Sequence, residues 1–224
     1  MRQARLAGVC YLLVIAGGLF AQVYVRGGLI VPGDAGATAQ SIADQESLWR
    51  WGVAVHLLYL VPAIMVNLLV SGLFRSVRPA LARIALVLAL TATTIEAMSL
   101  LFTYVPVTIL EDGGALRGLS TGQRVALSYL AVRLFSTGFS FSLLFFAGFC
   151  VLVGVLIVRS RLVPRVLGVL MVAAGACYAV NTLAGILAPA VASAINPAIL
   201  LPCLLGELAL ALWLLVRGVA SQSR

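Results

Sequence analysis

The chain has little charge for its length. Only 10% of its 224 residues are Asp, Glu, Lys or Arg, whereas 62% are hydrophobic. Lys is absent, and all fifteen basic residues are Arg, a bias that fits a GC-rich genome and carries no chemistry of its own. Mean hydropathy is +1.13. No soluble domain has that composition. There is one His, His56, so neither a bis-imidazole haem nor a His-rich metal site can be built. Cys10, Cys150, Cys177 and Cys203 all fall inside apolar runs without metal-ligand spacing, and buried thiols are expected rather than disulfides. HExxH, a Walker loop and CxxC are all missing. No nucleophile constellation stands out, so no catalytic residue, metal ligand or cofactor is assigned.

What the chain does have is long apolar runs. Six of them, about 5–25, 50–74, 84–109, 125–158, 166–188 and 198–217, are long enough to cross a bilayer. The connections leave no room for a soluble domain. Residues 1–224 are therefore expected to form a single all-α domain, a polytopic six-helix membrane bundle whose partner is the lipid bilayer. The first run resembles a signal peptide, but cleavage after Ala21 would put Leu19 where a small residue is wanted, so it is expected to stay as a span.

The connections carry local signals. Asp34 is placed to cap a short helix over about 35–44, and Trp49 and Trp51 are expected to mark the membrane interface. Pro62 falls inside the second run, where it frees a backbone carbonyl. Ser120 with Gln123 reads as a capping box for a long fourth helix from about 121 to 158. That length exceeds the roughly 20 residues a span needs.

Charge then gives an orientation. Arg2, Arg5, Arg75, Arg78, Arg83, Arg159, Arg161, Arg165, Arg217 and Arg224 fall on one side, and Asp34, Asp44, Glu46, Glu111 and Asp112 on the other. The positive-inside rule predicts both termini in the cytoplasm, with a bacterial inner membrane as the location. The net charge of +8 follows from this asymmetry, and no nucleic-acid partner is implied.

Three stretches, LIVPGDAGATAQSI, RSRLVPRVLGVLMVAAG and LPCLLGELALALWLLVRGV, occur in an order and spacing that resembles a bacterial six-span membrane family, domain-of-unknown-function family 4386. The resemblance covers nearly the whole chain. It implies the six-span fold and picks out Asp34, Pro164, Arg165, Gly168, Glu207 and Trp213. The family pattern often has a His in span four, where this chain has Phe149. The resemblance implies no activity.

The candidate site residues are the polar groups inside the spans: His56, Asn67, Glu96, Arg133, Asn181 and Glu207. A carboxylate facing lipid is costly, so the face of span three with Thr93, Glu96, Ser99 and Thr103 should turn inward. Arg133 or His56 could partner Glu96, and Arg133, within reach across the hairpin of spans three and four, is expected to pair with it directly or through one water. Arg133 also begins a stripe of Ser136, Thr137, Ser140, Ala147, Gly148 and Gly154, expected to face inward. Glu207 should point into the bundle with Cys203 and Ala211, with Asn181 or a backbone carbonyl as its expected hydrogen-bond acceptor. Asn67 and Asn181 otherwise serve as interhelical glue, and Arg133 as an anchor. The expected function is a small carrier with protonatable intramembrane carboxylates and a polar pocket open to the outer side, taking a small amphiphile or a lipid. The alternatives are an intramembrane enzyme acting on a lipid or isoprenoid, and a membrane scaffold. The sequence does not give the oligomeric state.

Overall fold

The computed structural model describes residues 2–110, 118–160 and 162–219. Among them there is no strand. Six helices are long and apolar enough to cross a membrane: Arg2–Leu29, Glu46–Leu73, Pro79–Ile109, Thr121–Arg159, Arg165–Leu187 and Ala198–Val216. They are called spans one to six below. The protein is a multi-pass membrane helix bundle. Glu111, Asp112, Gly113, Gly114, Arg161 and Arg224 lie outside the described residues.

The local signals have structural counterparts. Asp34 Oδ1 accepts from the Ala37 amide at 2.8 Å and caps the helix Ala35–Asp44. The Ser120 amide donates to Gln123 Oε1 at 2.8 Å and the Gln123 amide to Ser120 Oγ at 3.3 Å, the reciprocal pair of a capping box. Span two continues through Pro62. Span three is α-helical over Pro79–Leu100, tightens into a 3₁₀ turn at Leu101–Thr103 and resumes at Val105. The cause is Pro106, which has no N–H to offer the carbonyl four residues back. Span one is α-helical to Gly18 and then π-helical over Leu19–Arg26.

The chain forms two compact units. Unit 1 holds Met1–Val14, Val61–Thr94 and Ser140–Arg224; unit 2 holds Ile15–Leu60 and Ile95–Phe139.

Unit 1 is built on glycines that bring helix backbones together. A Cβ on Gly154 would lie 2.6 Å from the Gly168 carbonyl oxygen, and one on Gly168 would lie 2.7 Å from that of Gly154. Gly175 meets the Ala147 carbonyl at 2.6 Å in the same way. Only a hydrogen fits at these crossings, so spans four and five pack backbone to backbone. Phe149, Met171, Leu210 and Leu214 fill the interior beside them.

Unit 2 has its own apolar cluster, made by Val25, Leu29, Ile42, Trp49, Val107 and Val132. The interface role expected of Trp49 is corrected here. Its side chain is buried, and its indole N–H donates to the Thr103 carbonyl at 2.8 Å, inside the segment that Pro106 loosens. Trp51 is the exposed one.

The inward stripe expected on span four holds for Ala147 and Gly154 but not for its start. Arg133, Ser136 and Thr137 are exposed, and the buried face of that stretch is Ser128, Ala131, Val132 and Phe135. Ser136 and Thr137 donate to the carbonyls of Val132 and Arg133, each at 3.0 Å. A hydroxyl satisfied by its own helix has no need of an inward partner.

Candidate functional site

In unit 2 three spans bring an arginine, a histidine, a tyrosine and a glutamate into one hydrogen-bonded chain. Arg26 Nη1 lies 3.1 Å from His56 Nδ1. His56 Nε2 lies 2.9 Å from Glu96 Oε1. The Tyr59 hydroxyl donates to the same oxygen at 2.5 Å and lies 2.8 Å from His56 Nε2. His56 is completely buried and Arg26 is 5% exposed, whereas Glu96 keeps 16% of its side-chain surface.

The donor inventory fixes the proton positions. A guanidinium can only donate, so His56 Nδ1 must present its lone pair to Arg26. The neutral ring then carries its proton on Nε2 and donates it to Glu96. The chain has a cation at one end, a carboxylate at the other and an imidazole between them. Each charge-assisted bond of this kind contributes about 1.5–3 kcal/mol, so the chain is held firmly once its members are out of water.

Local sequence explains the placement. His56 and Tyr59 are three apart on span two, and their rings stack with centroids 4.6 Å apart. A Cβ on Gly17 would come 2.9 Å from the Tyr59 ring, so glycine there lets span one seat the ring. The π-helical stretch ends at Arg26, whose Nη1 also reaches the Ala21 carbonyl at 3.3 Å and Gln22 Oε1 at 3.1 Å. Widened turns of this type recur at functional sites. Phe135 lies beneath the guanidinium, 4.1 Å from ring centroid to Cζ, and meets His56 edge-on at 5.7 Å. Such a cation–π contact adds about 0.5–2 kcal/mol.

The sequence-derived candidates separate into different environments. His56 and Glu96 belong to the chain just described. The partner of Glu96 is His56, with Tyr59, and not Arg133, which is exposed. Asn67 is buried and donates to Thr93 Oγ1 at 3.0 Å, as interhelical glue would. Asn181 accepts from Asn196 at 3.0 Å. It is not the partner of Glu207, which instead accepts from the Tyr178 hydroxyl at 2.6 Å in unit 1. Glu207 is 7% exposed and shares its buried face with Cys203 and Ala211. Cys203 Sγ donates to the Ala174 carbonyl at 3.4 Å, and all four cysteines are free thiols. Asp34 serves only its helix cap.

Arg26, like Tyr59, is a member that sequence reading missed. It follows directly on the first apolar run and looks like that run's border. A signal was nonetheless present: it belongs to neither basic turn and, with Arg50, Arg117, Arg124 and Arg133, stands apart from the ten arginines that carry the charge asymmetry. Among the described residues, no group of three or more His, Cys, Asp and Glu side chains has the arrangement of a metal site.

Comparison with curated proteins and with solved structures finds no match. The family described as domain of unknown function (DUF4386) matches residues 6–218, and the chain belongs to that family.

Proposed function

We propose that this protein is a small proton-coupled carrier. The observation that supports it is the buried Arg26–His56–Glu96 chain. Ionisable groups inside a membrane bundle are costly, and those that persist commonly serve substrate or proton movement. This chain also contains a coupling device. His56 can accept a proton only on Nδ1, the atom that Arg26 holds. Protonation there removes the lone pair and sets two cations against each other, so the guanidinium must turn to another acceptor. Protonation thus frees the guanidinium for an anion, and a proton and an anion would bind together at one cluster. Glu207 with Tyr178 would be a second protonatable group. The polar residues of unit 2 would border a pocket open to the outer side. The protein would lie in a bacterial inner membrane with both termini in the cytoplasm, a location supported by the arginines of its connecting turns.

Purified protein in liposomes loaded with a pH-sensitive dye tests this. N-acetyl-leucine and tetraethylammonium serve as an anionic and a cationic probe, against protein-free liposomes. One of them should drive proton movement with the wild type and not with Glu96→Gln or His56→Gln. Proton movement unchanged in both variants would overturn the assignment. A scaffold would show none with any protein.

A further inference from the structure

We infer that Arg26 is a carboxylate-binding residue, and that the ligand is a small amphiphile with one carboxylate on an apolar body.

Among the described residues, Arg26 hydrogen-bonds through only one of its three nitrogens. Nη1 has three acceptors: the Ala21 carbonyl, Gln22 Oε1 and His56 Nδ1. Nε and Nη2 are buried and have no hydrogen-bond partner among the described residues. These two nitrogens form one edge of the guanidinium, with two N–H bonds running parallel. That edge matches the two oxygens of a carboxylate in a bidentate pair. Leaving a buried donor unpaired costs about 1–3 kcal/mol, and more for a charged group. A site that only stabilised the fold would be expected to engage this edge.

A further donor stands beside it. Gln22 gives its oxygen to Arg26, which fixes the amide orientation because arginine cannot accept. Its Nε2 is then a donor, and it too is buried without a partner among the described residues. The unused groups are all donors, so the complement is an acceptor-only group. Glu96 does not fill that role: neither of its oxygens bonds Arg26 Nε or Nη2, and Oε1 is engaged by His56 and Tyr59. Phe135 and Phe139 close around His56, and Phe135 lies beneath the guanidinium. The surroundings suit an apolar body and a single charge better than a dianion, whose desolvation would cost far more. Gln22 and Glu96 are only half-buried, so the cluster reaches the surface of its helices on their side.

This names the cargo for the proposed carrier and rests on that proposal for the word cargo. The binding itself is measured without transport. Full-length protein in detergent is titrated calorimetrically with N-acetyl-leucine, with N-acetyl-leucinamide and leucinamide as neutral and cationic analogues of the same body. Only the carboxylate should bind. Arg26→Lys keeps the charge but loses the paired donors, and affinity should fall by about tenfold or more, the loss of roughly one charge-assisted bond. Arg26→Gln should abolish binding, and Arg133→Gln should change nothing. Should Arg26→Gln fail to fold by circular dichroism, Arg26→Lys carries the test. Absence of binding to folded wild type, equal binding of the amide, or affinity unchanged in Arg26→Lys overturns the inference. Binding without proton movement in liposomes rejects the carrier and supports the site. Proton movement driven only by the cation does the reverse.

Discussion

A guanidinium that can only donate decides the state of the histidine it touches. That relation makes Arg26, His56 and Glu96 a unit in which no member is replaceable alone. Glu96→Leu would leave Arg26 as an uncompensated buried charge and should lower stability by roughly 3 kcal/mol. Arg26→Met with Glu96→Leu removes both charges, and the double variant should be more stable than Glu96→Leu alone. Thermal unfolding followed by the fluorescence of buried Trp49 measures both. A double variant as unstable as the sum of the singles would show that the two charges do not act together. Tyr178→Phe removes one hydrogen bond from Glu207 and should cost about 1–2 kcal/mol. Its direct readout is a shift of the Glu207 carboxyl band in infrared difference spectra, assigned against Glu207→Gln.

Between helices, the controlling residues are the ones without side chains. Gly154 and Gly168 face each other so closely that each would drive a Cβ into the other's carbonyl oxygen. Gly154→Ala should therefore destabilise the protein by about 1–3 kcal/mol through overpacking. Gly72 sits in a helix with nothing within 4 Å of its would-be Cβ. Gly72→Ala should be neutral or stabilising by up to about 1 kcal/mol, since alanine is the better helix former. Melting temperatures of the two variants in one detergent make the comparison. Equal effects would mean that the glycines serve helix flexibility rather than close approach. Span four adds a second lesson at this scale. Its hydroxyls at Ser136 and Thr137 bond their own helix, so a polar stripe there does not mark an inward face.

For the whole molecule, the proposed orientation rests on where ten of the fifteen arginines lie. Arg75, Arg78 and Arg83 flank the turn between spans two and three, and Arg159 and Arg165 flank that between spans four and five. Asp34 and Asp44 lie in the connection between spans one and two, and Glu46 opens span two. Reporter fusions after Gly113 and after Arg224 should report opposite sides of the membrane, with the second in the cytoplasm. Agreement between the two fusions would falsify the six-crossing topology with cytoplasmic termini.

The six spans, the Asp34 cap, the Ser120–Gln123 box and the buried face of Glu207 were legible in the sequence. Each depends on short-range physics: apolar length, a side chain reaching its own backbone, or helical spacing. The family, too, could be named from three local stretches and their order. Partner choice could not be read that way. Arg133 and His56 were both within reach of Glu96 on counting alone, and rotation of span four about its axis turned Arg133 outward. The same limit hid Arg26. Counting placed it at the border of a span, whereas a π-helical turn and the ring of Phe135 hold it against His56. Sequence determined which segments enter the membrane, because that is a property of each segment alone. Tertiary structure decided which buried charges meet, because that depends on helix rotation and on turns widened by a single residue.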